Sequence, residues 1–436
     1  MKQIIKDLYK MNRCLLGEGF DNALEYLNHL VPLDVLEFPS GTKFDTWTVP
    51  DEWVVRDAWV KFKGKKIIDY QKEPLSLAVG SIPFKGEVSY AELCEHLHYS
   101  DEKVDHHPYE YLLYDKNWGF TMPKSKVYKK NKDGIGNTIA LKDGTYEVFI
   151  DTEYRPGTMK VGVHTILGKT DKEILLFAHL DHPFQANDNL SAVAALVDLV
   201  KKIKPLKYEH TIKLIFCPET IGSIAYATTQ DLSNVSYVMA LDIVGNKHPE
   251  GVLVQKSFDR SARINNIVHL AARGSQEGYR QGIFRSSIGS DEYAFNDPKI
   301  GIPGVMLTTH PYPEYHTSAD TPDIIDYETI KKVQYIVLKT IEYYELDFIP
   351  ERTFKGPLHR SKYGIQTKGK ELNLSWDYLI YSMDGKKTFS ELCVEYGLNF
   401  EHTYDHVQKL IEDGAVRVRP IAGKGTFEKA TGKERS

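Results

Sequence analysis

Apolar residues recur at helical spacing over the first 30 positions (Ile4, Ile5, Leu8 and Tyr9, then Ala23, Leu24, Leu27 and Leu30), with Gly17 and Gly19 between the two runs. The pattern predicts two helices around a turn. From Phe44 to about Val148 it changes to short β-type runs such as TWTVP, AWVKF and KIIDY, separated by Gly, Pro and charged turns. A small separate unit rich in β-structure is expected there. Within it, KKNKDGIGNTIALKDGTYEVFI sets a Lys/Gly/Asn turn and a Lys-Asp-Gly turn between apolar runs, which is a hairpin signal.

From about Gly162 to Leu346 strand-like and helix-like segments alternate: EILLFAHL, SAVAALVDLVKKI, TIKLIFCPE, SIAYATTQ, VSYVMALDIV, RINNIVHLAARG, IPGVMLTT and the long YETIKKVQYIVLKTIEYYE. Such alternation predicts an α/β fold, a three-layer α/β/α domain whose mainly parallel sheet is covered on both faces, with the residues before 44 completing the layer. After Pro350 a basic linker, ERTFKGPLHRSKYG, leads to three short amphipathic helical segments and a strand pair, the pattern of a winged helix-turn-helix. The expected organisation is a main domain from 1–44 and 150–350, an inserted β-rich domain at 45–149 and a winged-helix domain at 351–436.

With 436 residues, 42% hydrophobic and 26% charged, the chain is folded rather than disordered and long enough to shape a cleft. Its 55 Lys+Arg against 60 Asp+Glu give a net charge of −5, so no global field draws it onto nucleic acid or an anionic membrane. The expected recognition helix is itself acidic. Between Phe389 and Asp413, Glu391, Glu395, Glu401, Asp405, Glu412 and Asp413 face the single cation Lys409; Arg417, Arg419, Lys424 and Lys429 follow in the wing and tail. Phosphate would be repelled, so protein–protein contact, such as within a homo-oligomer, is the expected use. Cys14, Cys94, Cys217 and Cys393 stand far apart and read as reduced thiols. The start MKQIIKDLYKMN breaks its apolar run with Lys and Asp, and no stretch approaches the roughly 18 apolar residues of a membrane span. The expected location is the cytoplasm.

In an open parallel sheet ligands bind beyond the carboxyl ends of the strands, and here those ends carry one kind of chemistry. EILLFAHL ends in His179 and runs into Asp181 and His182, with Asp188 in the loop before the next helix. TIKLIFCPE ends in Glu219, VSYVMALD in Asp242, and the loop after IPGVMLTT holds His310, Glu314, His316 and Asp320. Converging imidazoles and carboxylates are what Zn²⁺ binds. A lone HxD triplet arises by chance, and Asp188 and Asp320 also suit helix caps; the conjunction carries the argument. Asp181 is expected to orient His179 rather than ligate, Asp188 to serve one metal or bridge two, and Glu219 to act as general base beside the metal.

In order along the chain, HLDHPFQANDNLSAVAAL, FCPETIGS, MALDIVG, GSDEYAF and PEYHTSADTPD resemble the zinc-dependent M28-type aminopeptidases. The resemblance is closer to a bacterial branch with a small inserted domain and a C-terminal winged helix, often associated with surface-polysaccharide biosynthesis. SGTKFDTWTVPDEW, His96-Leu97-His98, Trp118-Gly119-Phe120 and DGTYEVFID resemble that branch too. The resemblance implies His179, Asp188, Asp242 and His316 as ligands of one or two zinc ions, Asp181 as the residue orienting His179, and Glu219 as the catalytic or ligating glutamate. M28 enzymes with two zincs carry adjacent glutamates, whereas this chain has Pro218-Glu219-Thr220. Aligning Gly222 with the family glycine makes Glu219 the base and weakens the second metal position; the other alignment keeps two metals and loses the base. The first needs no gap. Glu292 stands where common members have His, and reads as a replacement base, a contact to a substrate amino group, or a helix-start residue. Tyr315 is a candidate donor to a substrate oxyanion or a buried structural tyrosine. The insert adds His96, His98, Asp105, His106, His107 and Trp118, a cluster with no strong metal-ligand template, and its position suggests a cap that restricts substrate length.

The function implied is a metal-dependent hydrolase, most simply a zinc aminopeptidase acting on short peptides. The alternatives are an amide or acyl hydrolase acting on a small amino-sugar or polysaccharide precursor, and a non-catalytic binding protein on the same scaffold.

Overall fold

The near-continuous apolar runs of the sequence form strands buried on both faces. In Glu173–His179, Ile174, Leu176 and Ala178 join one core while Leu175 and Phe177 join the other, as the two-residue period of a strand requires. The computed structural model describes residues 1–130, 137–139, 141–275, 278–365 and 370–421. Its main sheet has eight strands in the order Asp34–Pro39, Thr158–Ile166, Thr211–Cys217, Glu173–His179, Val235–Leu241, Gly304–Thr308, Val252–Gln255 and Tyr279–Gly282. The central four, from Thr211–Cys217 to Gly304–Thr308, run parallel. Antiparallel strands flank them on both sides. The two last strands of the order were absent from the expected alternation, since each is short and the second reads YRQG.

Helices cover both faces. Lys2–Leu8, Glu18–Leu30, Leu190–Val200, Arg263–Gly274 and Tyr327–Leu346 pack on one, and Ile221–Thr229 and Glu292–Phe295 on the other. The helix Leu190–Val200 is buried almost all round, which explains a sequence without a polar stripe.

Between the first two strands of the main sheet the chain builds a four-stranded antiparallel sheet, in the order Lys65–Asp69, Glu52–Phe62, Thr145–Arg155 and Phe84–Ser89. Its core includes Trp53, Val60, Leu93, Trp118 and Phe120. The strand Thr145–Arg155 carries this sheet past position 149, where the sequence suggested it would end. Tyr128–Lys130 pairs antiparallel with Asn137–Ile139, as the hairpin signal suggested, and the first turn of that signal falls at 131–136, outside the described residues.

At the other end, helices Lys370–Ser382, Phe389–Glu395 and Phe400–Glu412 place Trp376, Leu379, Phe389, Phe400 and Leu410 in the same core as Arg263–Gly274 and Tyr327–Leu346. The strand Val416–Arg419 pairs with Ile349–Arg352, which precedes the three helices. The expected wing strands after the helices are therefore not what forms among the described residues; Lys424 and Lys429 lie outside them. No described helix is long and apolar enough to cross a membrane.

Candidate metal centre

Four parallel strands end on the same edge of the sheet and deliver one group each. His179 is the last residue of Glu173–His179, Glu219 follows Thr211–Cys217, Asp242 directly follows Val235–Leu241, and His316 lies in the loop after Gly304–Thr308. Asp188 comes from the loop before helix Leu190–Val200. The turn that presents Glu219 has room for nothing beyond a glycine at 222: a Cβ there would stand 2.6 Å from Cys217 Cβ and 2.8 Å from Pro218 Cδ.

Asp188 is the centre of the cluster. Its Oδ1 lies 3.0 Å from His179 Nε2 and 3.1 Å from His182 Nδ1, and its Oδ2 lies 3.0 Å from His316 Nε2. Asp242 Oδ1 is 3.8 Å from His179 Nε2, and Glu219 Oε2 is 3.2 Å from His182 Nε2. Three overlapping trios bring one ligand atom from each residue within 4.8 Å of the others: His179–Asp188–Asp242, His182–Asp188–His316 and His179–His182–Glu219.

These groups crowd charge into a buried volume. Burial drives the Asp242 carboxyl well above its ordinary value, and the charges of Asp188 and Glu219 add to the shift against the pull of His179. Burial pulls His179 down, yet Glu219, Asp242, Asp188 and Asp291 together carry it well above its ordinary value. For Glu219 burial acts upward, and His179 and His182 more than reverse it. Asp242 Oδ1, His182 Nδ1 and His316 Nε2 are buried atoms that make no hydrogen bond. Unpaired buried polar atoms of this kind cost free energy that a bound cation would offset, and a set of imidazole nitrogens and carboxylate oxygens suits zinc.

Residues outside the ligand set hold these groups. Arg13 is fully buried and donates to the backbone carbonyls of Leu8, Leu180, His182 and Gln185, clamping the loop between His179 and Asp188. Asp320, expected as a cap, accepts from the Asn187 and Asp188 amides at 2.7 and 3.1 Å and from Tyr312 Oη at 2.7 Å, which fixes the backbone of the Asp188 loop. Asn189 spans Leu241 O and the Ile243 amide, tying that loop to the strand that carries Asp242. From a loop of the insert, Tyr109 N donates to His316 O at 2.8 Å, His107 O accepts from Ser318 N, and Lys103 Nζ donates to Tyr315 O. The Tyr109 ring stands 5.5 Å from that of His182 and 5.3 Å from that of His316. Neither Arg13 nor Tyr109 had a local signal, because each reaches the site across a long stretch of chain.

Asp181 requires a correction. The carboxylate beside His179 Nδ1 belongs to Asp291, at 3.8 Å, with Asn189 Nδ2 at 3.2 Å and Ser290 Oγ at 3.4 Å. Asp181 Oδ1 instead accepts from the Glu219 amide at 2.9 Å. Two residues apart on a strand share a face, but the strand ends at His179, so the rule lapses before it reaches Asp181. Glu292 opens a four-residue helix, 1% exposed, with Oε2 accepting from the Ser290 amide and Oε1 unpaired; burial pushes its carboxyl up to about 8. It stands outside the three trios. Tyr315 stacks on His316 at 3.9 Å between ring centroids. The insert histidines are engaged locally: His96 Nδ1 lies 2.8 Å from Trp118 O and its ring stacks on Trp118, and His107 Nδ1 lies 3.0 Å from Thr121 Oγ1, burial holding it down at about 4.

Among known proteins, a Clostridium acetobutylicum relative provisionally named as a polysaccharide biosynthesis protein with an aminopeptidase-like domain is 29% identical over 412 residues, 91% of each chain. A crystal structure from the same organism, provisionally named as a peptidase, superposes with a TM-score of 0.79 at 26% identity, covering 96% of both chains. A zinc aminopeptidase from Bacillus subtilis shares the fold at a TM-score of 0.56 and 16% identity, over 79% of this chain and 93% of its own. An M28 peptidase precursor from Shewanella amazonensis does so at 0.53 and 15%, over 78% and 91%. The mixed sheet with its four parallel central strands is thus the fold of M28-type zinc aminopeptidases, as the sequence motifs implied. Residues 2–347 match the family model described as a domain of unknown function, DUF4910, and the chain belongs to that family.

Proposed function

We propose that the protein is a metal-dependent hydrolase that removes N-terminal residues from short peptides, with His179, Asp188, Asp242 and His316 as metal ligands. The observation that carries this reading is the buried trio His179–Asp188–Asp242 at the ends of parallel strands, with Asp242 Oδ1 unpaired. Zinc held there would polarise the scissile carbonyl and lower the pKa of water to about 7.

Glu219 has one oxygen beside His182 Nε2 and is the group that takes the proton from the attacking water and passes it to the leaving amine. Its backbone is held by Asp181, which is therefore a positioning residue. Thr220, in the place of a second glutamate, caps the next helix and donates its amide to Asp291 at 3.2 Å. Tyr315, stacked on His316 at the rim, is the candidate donor to the substrate carbonyl oxygen. Glu292, with its buried neutral carboxyl, is assigned to holding the Ser290 turn.

The name of the Clostridium relative favours a second reading, in which the same groups cleave the amide of an acylated amino sugar. Zinc-loaded protein assayed on aminoacyl amides, short peptides and N-acyl amino sugars separates the two. Glu219→Gln is expected to lower turnover on the cleaved class about a thousandfold, within the range of general-base catalysis, while zinc content stays unchanged. Zinc lost together with activity would make Glu219 a ligand. No cleavage of any class by the zinc-loaded wild type would leave the scaffold as a binding protein.

A further inference from the structure

We propose that Lys103, carried by a loop of the insert, binds the free C-terminal carboxylate of the substrate and so selects short peptides, tripeptides above all. The inference rests on the peptide-hydrolase reading and names the substrate class and the residue that selects it.

Lys103 stands at the rim of the candidate centre. Its Nζ donates to Tyr315 O and lies 5.4 Å from the Tyr315 ring, which stacks on the His316 ring at 3.9 Å between centroids. The His310 ring is 4.9 Å from that of Tyr315. Backbone contacts fix the two loops against each other: Tyr109 N donates to His316 O, Ser318 N to His107 O, and Pro108 bridges Thr317. The Lys103 amide is itself anchored on Ser100 Oγ at 3.1 Å. The ammonium is therefore placed by the fold beside the loop that carries His316.

The charges around it leave it without a counter-ion. Among the described residues no carboxylate lies within 4.0 Å of Nζ, and Tyr315 O is the one hydrogen-bond acceptor of its three protons. Glu102, Glu314 and Asp320 act on it from farther off, and burial outweighs all three, drawing the ammonium below its ordinary value. Asp320 is engaged with the Asn187 and Asp188 amides and Tyr312. A half-buried cation in this condition is unfavourable until an anion reaches it, and a carboxylate would accept from the two remaining protons.

The reach identifies the anion. Nζ lies no farther from the His316 ring than the two distances through the Tyr315 ring taken together. Extended chain covers about 3.3–3.6 Å per residue. A tripeptide cleaved after its first residue carries its carboxylate two residues past the cleaved bond, about 7 Å, and a hydrogen bond of about 2.9 Å spans the rest. The carboxylate of a dipeptide stops one residue short. A longer peptide lays uncharged backbone against the ammonium.

The test compares kcat/KM of the zinc-loaded full chain on trialanine as free acid and as C-terminal amide, in the wild type, Lys103→Met and Lys103→Arg. The wild type should favour the acid about thirtyfold, the worth of one hydrogen bond to a charged group, with the difference carried mainly by KM. The acid-to-amide ratio should fall to about one in Lys103→Met and recover in part in Lys103→Arg. Two readouts need no Lys103 variant. The wild-type preference should vanish on pentaalanine, and calorimetric titration of the Glu219→Gln protein should give the same ratio in Kd without turnover. Equal rates of the wild type on acid and amide, or a Met variant that loses activity on both while keeping the ratio, would overturn the role of Lys103 and spare the hydrolase reading. A zinc-loaded wild type that cleaves neither peptide would overturn both.

Discussion

Arg13 supports the candidate centre from below, and Arg13→Met isolates what it contributes. Four backbone carbonyls, those of Leu8, Leu180, His182 and Gln185, accept from its guanidinium. A buried carbonyl left without its donor costs about 1–3 kcal/mol, so four of them, with some water reaching the loop, come to about 6 kcal/mol. The opposing effect is the charge itself. Burial, partly countered by Asp181, Asp320 and Asp188, brings the guanidinium from its ordinary 12.5 down to about 10. At 1.36 kcal/mol per unit, removing that charge relieves about 3 kcal/mol. The lost bonds win, and Arg13→Met should destabilise the protein by about 3 kcal/mol. Urea unfolding with a chelator present reads this as a lower midpoint at unchanged slope, without any contribution from bound metal. Zinc affinity should fall as well, because the His182 carbonyl loses its anchor. Arg13→Lys, which keeps a cation with fewer and less directed donors, should fall between the two. A Met variant within about 0.5 kcal/mol of wild type would refute the assignment of Arg13 as the clamp of this loop.

Two further outcomes follow from groups outside the ligand set. Asp347, whose carboxylate accepts from Ser390 N and Oγ and lies 3.6 Å from Arg263, is pushed by burial from 3.8 up to about 6. The folded state therefore binds its proton before the unfolded chain does as pH falls, so the ionised group opposes folding at pH 7 and does so less below 6. The stability difference between Asp347→Asn and wild type should accordingly move in favour of wild type by about 1 kcal/mol between pH 7 and pH 5, and a difference independent of pH would show that Asp347 does not titrate there. Tyr109→Ala removes the ring that stands over His182 and His316, and should reduce discrimination between short and long peptides about tenfold, the worth of one aromatic contact, at unchanged zinc content. Unchanged length preference would remove the inserted sheet from the boundary of the cleft.

The layer architecture was legible because burial on both faces writes itself into the sequence as unbroken apolar runs, and the grouping of His179, Asp188, Asp242 and His316 was legible because parallel strands must end on one edge. What was not legible depends on where the chain leaves regular geometry. Of the non-glycine residues with positive φ, His182, Phe184, Thr220, Ile243 and His316 all lie in loops just past the parallel strands. Thr220 and Ile243 are β-branched, for which such a conformation is a true outlier. Rules of periodicity and capping describe unstrained backbone, so they hold up to the last strand residue and fail one or two residues later. This is why Asp181, expected to orient His179, turns to the Glu219 amide, and why His182, passed over as a neighbour of the HxD triplet, comes to face Asp188. The C-terminal strand was missed for another reason: Val416–Arg419 pairs with Ile349–Arg352, a four-residue segment that straddles the expected boundary at Pro350 between the main domain and the linker and is too short to stand out. Five such residues in the loops past the parallel strands, with the Asp188 loop clamped by Arg13 and Asp320, mark a place where packing alone did not choose the conformation. That concentration, rather than the motif match, locates the part of the chain where function outweighed local preference.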